Sequence, residues 1–371
     1  MGKKKLLFLI PNLQGGGAER VLVNLLNSMD VNKFDITVQT LFRAGVNAEF
    51  LDKRIRLIEG KVKQFSGNVL LMKLFRPSWL YHFFVKEKYD VVISYLEGPT
   101  ARILSGCSDK SIKKICWVHT IHNFDKDTFY SFRSKAEAIK CYSSFDKMIY
   151  VSSDVMQNFT SYYPMLKDNQ VVYNTNEDDK IKKLASESLT NLKLSNDINI
   201  VSVGRLIALK GFDRLIDVHH RLKSEGIKNH LYILGTGDNR EALISQIKKN
   251  GDCDTVHLLG FCKNPYQVVS RCDLFVCSSH LEGFSTAVTE ALILGVPVVT
   301  TSVSGAFEQM GENNEYGIVT NNDTESLYSG IKKMLINKDT LLYYKKQAEL
   351  RGKIFSKAHS VKSVVEIIDS L

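Results

Sequence analysis

The chain has 371 residues, of which 44% are hydrophobic and 24% charged, and its formal net charge is +9. This composition is typical of a globular protein long enough for two domains, and it excludes a largely disordered chain. The seven cysteines form no C-x2-C pair, which argues against a zinc site or a disulfide framework and favours a reducing cytoplasm.

The positive charge lies almost entirely in the first half of the chain. Residues 1–190 contain 28 Lys and Arg against 20 Asp and Glu, whereas the remainder contains 21 against 20. Such a bias favours anionic partners, namely lipid head groups, a diphosphate-bearing substrate or nucleic acid, although an uninformative surface excess is an open alternative. No apolar stretch approaches the ~18 to 20 residues of a membrane-spanning helix. We expect a cytoplasmic protein, soluble or peripheral at the inner face of the cell membrane.

In the first half, short apolar runs alternate with segments of helical periodicity. The strand-like runs are KLLFLIPN, FDITVQTLF, YDVVISYLE, IKKICWVHT, FDKMIYVSS and NQVVYN, and the helical segment GAERVLVNLLNSM follows the first of them. This alternation predicts parallel strands joined by helices. We therefore predict a first doubly wound, Rossmann-like α/β domain over residues 1–180.

The first strand leads into three glycines, Gly15, Gly16 and Gly17, at the start of a helix. A dinucleotide fingerprint would need a further glycine at position 20, which is Arg20, and no acid stands at the end of the second strand. We therefore do not expect an NAD site. The loop can still bring backbone N–H groups to a phosphate or to an acceptor hydroxyl.

Residues 68–90, NVLLMKLFRPSWLYHFFVKEKYD, interleave Lys and Arg with aromatic side chains. Two interpretations stay open: the segment rests on a membrane, or it forms helices, broken at Pro77, that pack on their own sheet. Binding of single-stranded nucleic acid is not expected, because no stacking platform or known module accompanies the pattern.

His119 follows an apolar strand, which places it at the carboxyl edge of the first sheet, with His122 close by. An imidazole there can hydrogen-bond a sugar hydroxyl or the reacting oxygen, and a purely structural histidine is the alternative. Two D-x-D triplets, at residues 125–127 and 252–254, have a spacing that can hold a divalent cation. We interpret both as surface loops and predict no metal.

A second series of strand-like runs follows a polar stretch that begins at residue 176. The runs are INIVSVGRL, HLYILGTG, TVHLLGF, DLFVCSS, GVPVVTTS and YGIVT. They predict a second Rossmann-like domain over residues 190–354, facing the first across a cleft, because ligands sit outside the carboxyl ends of parallel strands. Residues 355–371 have helical periodicity, and we expect them to pack back on the first domain.

In the second series a strand ends at Gly204, and two cations, Arg205 and Lys210, precede the next helix. Both can point at one diphosphate and stabilise the charge of a leaving nucleotide without a metal. A pair of unrelated surface cations is the alternative.

The segment HLEGFSTAVTEALILGVPVVTT, residues 280–301, places one acid before a helix and another on its second turn. Glu282 lies in the loop, Gly283 allows close backbone approach, and Ser285 or Thr286 can cap the helix. A helix amino terminus attracts a phosphate, while carboxylates accept hydrogen bonds from vicinal hydroxyls. Glu282 and Glu290 can therefore read the two ends of a nucleotide-sugar, although a solvent-facing helix with two Glu is the alternative.

Taken together, these motifs resemble the retaining family 4 glycosyltransferases of the GT-B fold (glycosyl transferases group 1), of the polysaccharide-biosynthesis type. The resemblance rests on the E-x7-E spacing, on the cationic loop after Gly204, on the glycines that lead into Ala18 and Glu19, and on VVYNTNE between the domains. The linker departs from the family, which usually has Asn-Gly and an acid there.

The resemblance also implies a role for each matching residue. It implies that Glu282 contacts hydroxyls of the transferred sugar, that Glu290 holds the ribose and that His119 faces the sugar. The donor-side positions that it implies are Gly16, Gly204, Arg205, Lys210, Phe261, Cys262, Gly283, Phe284, Ser285 and Thr286. The acceptor-side positions are Gly15, Gly17 and Asn174. Among the donor-side positions, Arg205 and Lys210 would bind the diphosphate, and the loop at Phe261 and Cys262 would flank the base.

The function implied is a retaining, metal-independent glycosyltransferase of the hexosyltransferase class. It would move a hexose or N-acetylhexosamine from a nucleotide-sugar, with UDP preferred, to a lipid-diphosphate-linked glycan in capsule or exopolysaccharide synthesis, and it would need no cofactor. Two alternatives stay open. A nucleotide-sugar 2-epimerase has a similar architecture, and a non-catalytic protein could bind the nucleotide-sugar or anionic lipid.

Overall fold

The computed structural model describes residues 2–14, 16–65, 67–122, 131–189 and 192–371. The chain forms two compact units. The first comprises Met1–Thr175 together with Lys357–Leu371, and the second comprises Asn176–Ser356. Each unit is built on its own parallel sheet.

Within the described residues, the first unit has a seven-stranded parallel sheet in the order β3-β2-β1-β4-β5-β6-β7. Its strands are β1 (Lys4–Ile10), β2 (Phe34–Thr40), β3 (Arg56–Ile58), β4 (Val91–Ser94), β5 (Lys113–Val118), β6 (Lys147–Tyr150) and β7 (Asn169–Val171). The strand order reverses between β1 and β4, which pair directly. In open α/β sheets, ligands bind at such a reversal, beyond the carboxyl ends of the strands.

The helices of the first unit, in chain order, are α1 (Gly17–Ser28), α2 (Asn68–Lys73), α3 (Pro77–Phe84), α4 (Pro99–Leu104), α5 (Lys135–Tyr142), α6 (Ser153–Tyr162) and α15 (Lys357–Ser370), with a 3-10 helix at Val46–Phe50. Helix α1 buries Val21, Leu22, Leu25 and Leu26, which recur at the spacing of one helix face. Helix α15 belongs to this unit, and there Lys4 Nζ donates to Ile368 O at 2.8 Å while Lys33 forms an ion pair with Asp369.

A buried arginine fixes the turn between α2 and α3. The Arg102 side chain is 1% exposed, and its guanidinium donates to Met72 O at 2.9 Å, to Phe75 O at 2.8 Å and to Glu137 Oε1 at 3.0 Å. These bonds satisfy carbonyl groups that the end of α2 would otherwise leave without partners. The turn, and the side chains that it presents, therefore have a defined position on the first unit.

The second unit has, among the described residues, a six-stranded parallel sheet in the order β10-β9-β8-β11-β12-β13. Its strands are β8 (Ile198–Val203), β9 (Asn229–Leu234), β10 (Val256–Gly260), β11 (Leu274–Cys277), β12 (Val298–Thr301) and β13 (Ile318–Thr320). Here the order reverses between β8 and β11, which pair at Leu274 with Ile200 and at Phe275 with Val201.

The helices of the second unit are α7 (Asp178–Ser186), α8 (Phe212–Ser224), α9 (Arg240–Asn250), α10 (Tyr266–Val269), α11 (Thr286–Ile293), α12 (Ala306–Met310), α13 (Thr324–Leu335) and α14 (Lys338–Gly352), with a 3-10 helix at Ala208–Lys210. The core on one face of the sheet joins α8 and α13 to the strands through fully buried side chains such as Ile216, Leu231, Leu274 and Ile331. Burial of the central strands β11 and β12 along their whole length explains why they appear in the sequence as continuous apolar runs.

The predicted fold class, two doubly wound parallel-sheet α/β domains, is confirmed by the structure. None of the helices in the described ranges combines the length and the apolar character needed to cross a bilayer. Segment 68–90 forms helices that end before Pro77 and begin again at it, with Val69, Leu80 and Tyr81 buried. Other side chains of the same segment are exposed, so the helix prediction holds without excluding a surface role.

Candidate active site

The reversal point of the second sheet brings together the cationic loop after β8 and the acidic loop after β11. Lys210 Nζ lies 2.6 Å from Glu282 Oε1, and the Ser279 hydroxyl donates to the same oxygen at 2.6 Å. The other carboxylate oxygen, Oε2, accepts no hydrogen bond from any described residue. Glu282 is thus oriented through one oxygen, which leaves the second oxygen for a ligand hydroxyl.

Arg205 follows Gly204 at the end of β8, and its side chain is exposed, with no ion pair to any residue in the described ranges. The Lys210 alkyl chain passes Gly204, since a Cβ atom there would lie 3.5 Å from Lys210 Cδ. Gly235, with φ +144°, packs on the Gly204 carbonyl, and Leu206 N donates to Thr236 O at 2.9 Å. The glycine turn at residues 235–237 therefore supports the loop that carries both cations.

Helix α11 begins where the sequence predicted, with Ser285 at the N-cap position and Thr286 as its first residue. The prediction of a capping side chain at Ser285 is wrong: this hydroxyl makes no cap bond, and the Ser285 carbonyl instead accepts from Gln309 Nε2 at 2.8 Å. Gly283 precedes Phe284, which is buried and lies 5.9 Å from the Phe355 ring between centroids. Packing of Phe284 fixes the backbone between Glu282 and the helix.

Glu290 occupies the second turn of α11, and Tyr266 OH donates to its Oε1 at 3.0 Å. Tyr266 begins the short helix α10, and sequence reasoning did not identify it.

After β10, Phe261 is 79% exposed and Cys262 half-buried, and neither contacts the Lys210–Glu282 pair by a hydrogen bond. Their predicted place beside the base stays a prediction.

In the first unit, Glu97 follows β4 and organises three groups that follow β5. His119 N donates to Glu97 Oε2 at 3.0 Å, the Thr120 hydroxyl donates to Oε1 at 2.7 Å, and His122 Nε2 lies 3.0 Å from the same oxygen. Burial raises the pKa of the Glu97 carboxyl, but the hydrogen bond and charge of His122 outweigh that effect, and the pKa falls to about 2. Glu97 is therefore an anion at neutral pH.

His119 is 7% exposed and belongs to a buried ring cluster with Tyr95 and Trp117, whose centroids lie 4.7 and 5.9 Å from its own. Burial lowers the pKa of His119 to about 4, although Glu97 acts in the opposite direction. The imidazole is therefore neutral at pH 7. Its Nε2 accepts or donates no hydrogen bond within the described residues, so this nitrogen is the atom that it can offer to a ligand.

This buried histidine predicts a pH-dependent stability of the first unit. Because the folded pKa lies below the ordinary value of 6.5, the unfolded chain takes up the proton first. The contribution of the buried, neutral His119 to the free energy of unfolding is fully present above pH 6.5. It is lost as the pH drops toward 4, by about 3 kcal/mol in all. We expect His119→Gln to remove most of this dependence.

The measurement is urea unfolding followed by tryptophan fluorescence, because both tryptophans, Trp79 and Trp117, lie in the first unit. Unfolding free energies at about pH 7 and pH 5 are compared between the wild type and His119→Gln, with the exposed His82→Gln as matched control. An unchanged pH dependence in His119→Gln would contradict the prediction.

The glycine loop of the first unit is described in part. Gly16 takes the N-cap position of α1 and Gly17 is its first residue, whereas Gly15 lies outside the described residues. A Cβ atom on Gly16 would overlap the Glu19 carboxylate, so an acidic group already lies at this helix end.

Asn174 is buried at the end of the first unit, where Asn24 Nδ2 donates to Thr175 O at 3.4 Å.

The prediction that both D-x-D triplets are surface loops can be checked for one of them. The triplet at residues 125–127 lies outside the described residues. In the second, Asp252 is 0% exposed and accepts from Lys223 Nζ at 3.0 Å and from His220 Nδ1 at 2.9 Å, so its prediction as a surface loop is wrong for this residue. Across the described ranges, no three His, Cys, Asp or Glu side chains are grouped so as to hold a metal ion.

The architecture matches a solved structure over almost the whole chain. Anabaena HepE in complex with UDP and glucose superposes with a TM-score of 0.79 at 20% identity, over 99% of this chain and 100% of that one. The chain has two Rossmann-like sheets, and in the second sheet the loops after β8 and β11 meet where the strand order reverses. This fold is GT-B, the architecture of a large class of glycosyltransferases.

The family follows from the sequence. The model for Glycosyl transferases group 1 matches residues 166–351, and that for Glycosyltransferase Family 4 matches residues 15–176. The chain belongs to the glycosyl transferases group 1 family and is a glycosyltransferase.

Two curated relatives illustrate the family. An N-acetylgalactosamine-N,N'-diacetylbacillosaminyl-diphospho-undecaprenol 4-alpha-N-acetylgalactosaminyltransferase of Campylobacter jejuni is 29% identical over 98% of this chain and 99% of its own length. The O-antigen biosynthesis glycosyltransferase WclY of Escherichia coli is 26% identical over 58% of this chain and 62% of its own length.

Proposed function

We propose that the protein is a retaining, metal-independent transferase. It moves a hexose or N-acetylhexosamine from a UDP-sugar to a lipid-diphosphate-linked glycan, in the synthesis of a cell-surface polysaccharide such as a capsule or exopolysaccharide. The observation that carries the proposal is the Lys210–Glu282–Ser279 cluster at the reversal point of the second sheet. In this proposal Lys210 is the cation that meets the diphosphate, and Glu282 accepts sugar hydroxyls at the oxygen that Lys210 and Ser279 leave available.

The cations at this site bind the diphosphate in the proposed reaction. Lys210 Nζ uses one N–H for Glu282 and keeps two for phosphate oxygens, and the exposed Arg205 adds a second cation. Both cations stabilise the negative charge that builds on the diphosphate as the bond to the anomeric carbon breaks. The amino end of α11 lies next to Glu282 in the chain and favours the same anion.

Retention follows from a front-face displacement in this proposal. The acceptor oxygen forms its bond to the anomeric carbon on the side from which the diphosphate leaves, and the acceptor proton passes to a phosphate oxygen of the leaving group. Glu282 holds the sugar through its hydroxyls and forms no bond to carbon. The two cations supply the charge stabilisation that a divalent metal provides in other transferases, so no metal is required.

The acceptor class rests on two supports. The Campylobacter jejuni relative carries a diphospho-undecaprenol substrate in its name, and the Escherichia coli relative carries O-antigen biosynthesis in its name. The basic first half of this chain would favour an anionic, membrane-held acceptor.

A donor screen tests the proposal. The purified protein is incubated with a panel of UDP-, GDP- and TDP-sugars, with and without extracted lipid-linked glycans, and nucleotide release and anomeric configuration are measured. We expect UDP release that depends on the acceptor, with the configuration retained and no loss on addition of a chelator. Conversion of the donor without acceptor would indicate an epimerase, and binding of UDP without turnover would indicate a non-catalytic protein; either result overturns the proposal.

The first unit also presents an apolar surface suited to a bilayer. The side chains of this α2–α3 surface are 41% to 75% exposed and comprise Leu70, Leu71, Leu74, Phe75, Trp79 and Phe83. The rings of Phe75, Trp79 and Phe83 form a stacked column with centroid distances of 4.3 and 5.0 Å. Arg76 lies between the helices, and Lys86 lies 5.6 Å from the Phe83 ring. Apolar and aromatic groups flanked by cations fit an anionic lipid surface, to which the proposal assigns this face.

We expect the protein to float with liposomes of anionic lipid at low salt, and to float less with zwitterionic liposomes or in about 0.5 M salt. Replacing Leu74, Trp79 and Phe83 together by Ala removes most of the apolar contact and is expected to abolish flotation. The matched control replaces the exposed Leu342 and Leu350 of the second unit by Ala and should float as the wild type does. Equal flotation of both variants would refute the assignment of this surface.

A further inference from the structure

The loop that carries Glu282 has three consecutive carbonyl groups that accept side-chain hydrogen bonds, two of them in the interior of the second unit and the third at its surface. Arg214 donates from Nε to Ser278 O at 2.8 Å, and from Nη2 to Ser278 O at 2.5 Å and to Ser279 O at 2.7 Å. The third carbonyl, of His280, accepts from Asn322 Nδ2 at 2.9 Å. The Ser279 carbonyl also accepts from Thr301 Oγ1 at 2.6 Å, so the three carbonyls that follow β11 all have side-chain donors.

Arg214 is 5% exposed and forms no ion pair with any residue in the described part of the chain. Burial lowers the pKa of its guanidinium, which stays protonated because an arginine retains its charge in proteins. A buried cation is costly unless oxygen atoms surround it. Here the oxygens are the loop carbonyls and Asn322 Oδ1, at 2.8 Å from Nη2, so the cation and the loop conformation depend on each other.

The same arginine joins the acidic loop to the cationic loop. Arg214 lies in the first turn of α8. This helix begins directly after Gly211, whose φ of +58° allows close approach to the Ser278 carbonyl. Two further bonds connect the loops: the Ser278 hydroxyl donates to Lys210 O at 2.9 Å, and His280 N donates to Leu209 O at 2.8 Å. The 2.6 Å distance between Lys210 Nζ and Glu282 Oε1 is therefore set by a backbone arrangement with Arg214 at its centre.

We propose that Arg214, with Asn322, is a positioning residue for transfer, which acts by holding the Glu282 loop against the Lys210 loop. The inference rests on the proposed function of that site. Arg214 contacts backbone carbonyls and Asn322, so its effect on the reaction passes through the geometry of Glu282 and Lys210. A displacement of about 1 Å at such groups can lower the rate about 100-fold.

The first test is steady-state kinetics of single variants. We expect Arg214→Met to lower kcat about 100-fold with a small change in donor KM, and Arg214→Lys to recover part of that loss, because an ammonium group can bond one or two of the carbonyls. Asn322→Ala, which keeps the arginine, should cost about tenfold. Arg221→Met is the matched control on the same helix, since Arg221 forms exposed ion pairs with Glu225 and Glu325. It should retain wild-type kinetics.

The deciding test is a double-mutant cycle with Glu282→Gln. If Arg214 acts by holding Glu282, the loss caused by Arg214→Met falls from about 100-fold in the wild type to at most about tenfold in the Glu282→Gln background, where only its effect on Lys210 remains. Asn322→Ala is carried through the same cycle, in case Arg214→Met fails to fold, and thermal unfolding of each variant is recorded. Equal losses in both backgrounds, or no loss in either, would overturn the positioning role. A wild type without transfer on any donor would instead overturn the proposed function and this inference with it.

Discussion

Glu282→Ala is expected to lower kcat/KM for transfer about 100- to 1,000-fold while the protein stays folded. The carboxylate is one of the polar groups that meet the reacting sugar in the proposed mechanism, and loss of one such group typically costs about 3 to 4 kcal/mol in the transition state. Stability should change little, because the side chain of its partner Lys210 is 24% exposed and water can replace the lost ion pair.

The measurement is UDP release with saturating acceptor, together with a thermal melt. Glu282→Gln separates charge from shape, because an amide keeps the volume and one acceptor oxygen but loses the ion pair with Lys210. The matched control is Glu241→Ala, an exposed acid on α9 with a side chain 84% exposed. Turnover of Glu282→Ala near the wild-type level would remove this residue from the site.

Lys210→Ala is expected to have a comparable effect on kcat/KM and a direct effect on nucleotide binding. A cation at hydrogen-bond distance from a diphosphate contributes a charge-assisted bond of about 2 to 3 kcal/mol, so affinity for UDP should fall about 30- to 160-fold. Glu282 keeps its bond to the Ser279 hydroxyl, which limits disorder of the acidic loop.

Titration calorimetry with UDP measures this affinity, and Lys248→Ala on α9 provides an exposed lysine as control. Lys210→Arg should recover part of the binding, since it restores the charge with a different geometry. Unaltered UDP affinity in Lys210→Ala would show that the nucleotide binds elsewhere.

Much of the fold could be predicted from the sequence because the central strands of both sheets are buried and appear as apolar runs, whereas the short, partly exposed edge strand β3 was not predicted. The functional loops were predictable for a related reason: glycines and polar residues follow the strands that end at Val203 and Cys277, where a doubly wound sheet places its ligands. Gly204, Lys210 and Glu282 were found in this way.

The residues that were missed depend on contacts across the sheet. Glu97 follows one strand and binds groups after the next, so its role becomes visible only when the strand order places β4 beside β5. Arg214 is a charged residue in a helix, and the sequence pattern alone predicts that such a residue is exposed. Its burial is explained only by the carbonyl groups of residues 278 and 279, to which it donates. The capping prediction for Ser285 was wrong because the residue type at the N-cap position does not determine the side-chain rotamer.

The discontinuity of the first unit has a consequence for biosynthesis. The second unit is one uninterrupted stretch, Asn176–Ser356, whereas the first unit includes α15, at residues 357–370. During translation the second unit leaves the ribosome before α15 does, so the central stretch can finish folding while the amino-terminal sheet still lacks its last helix. A nascent chain stopped after residue 356 should accordingly expose to chaperones the surface of the first unit on which α15 packs, and separate expression should succeed more readily for the later unit than for the earlier one.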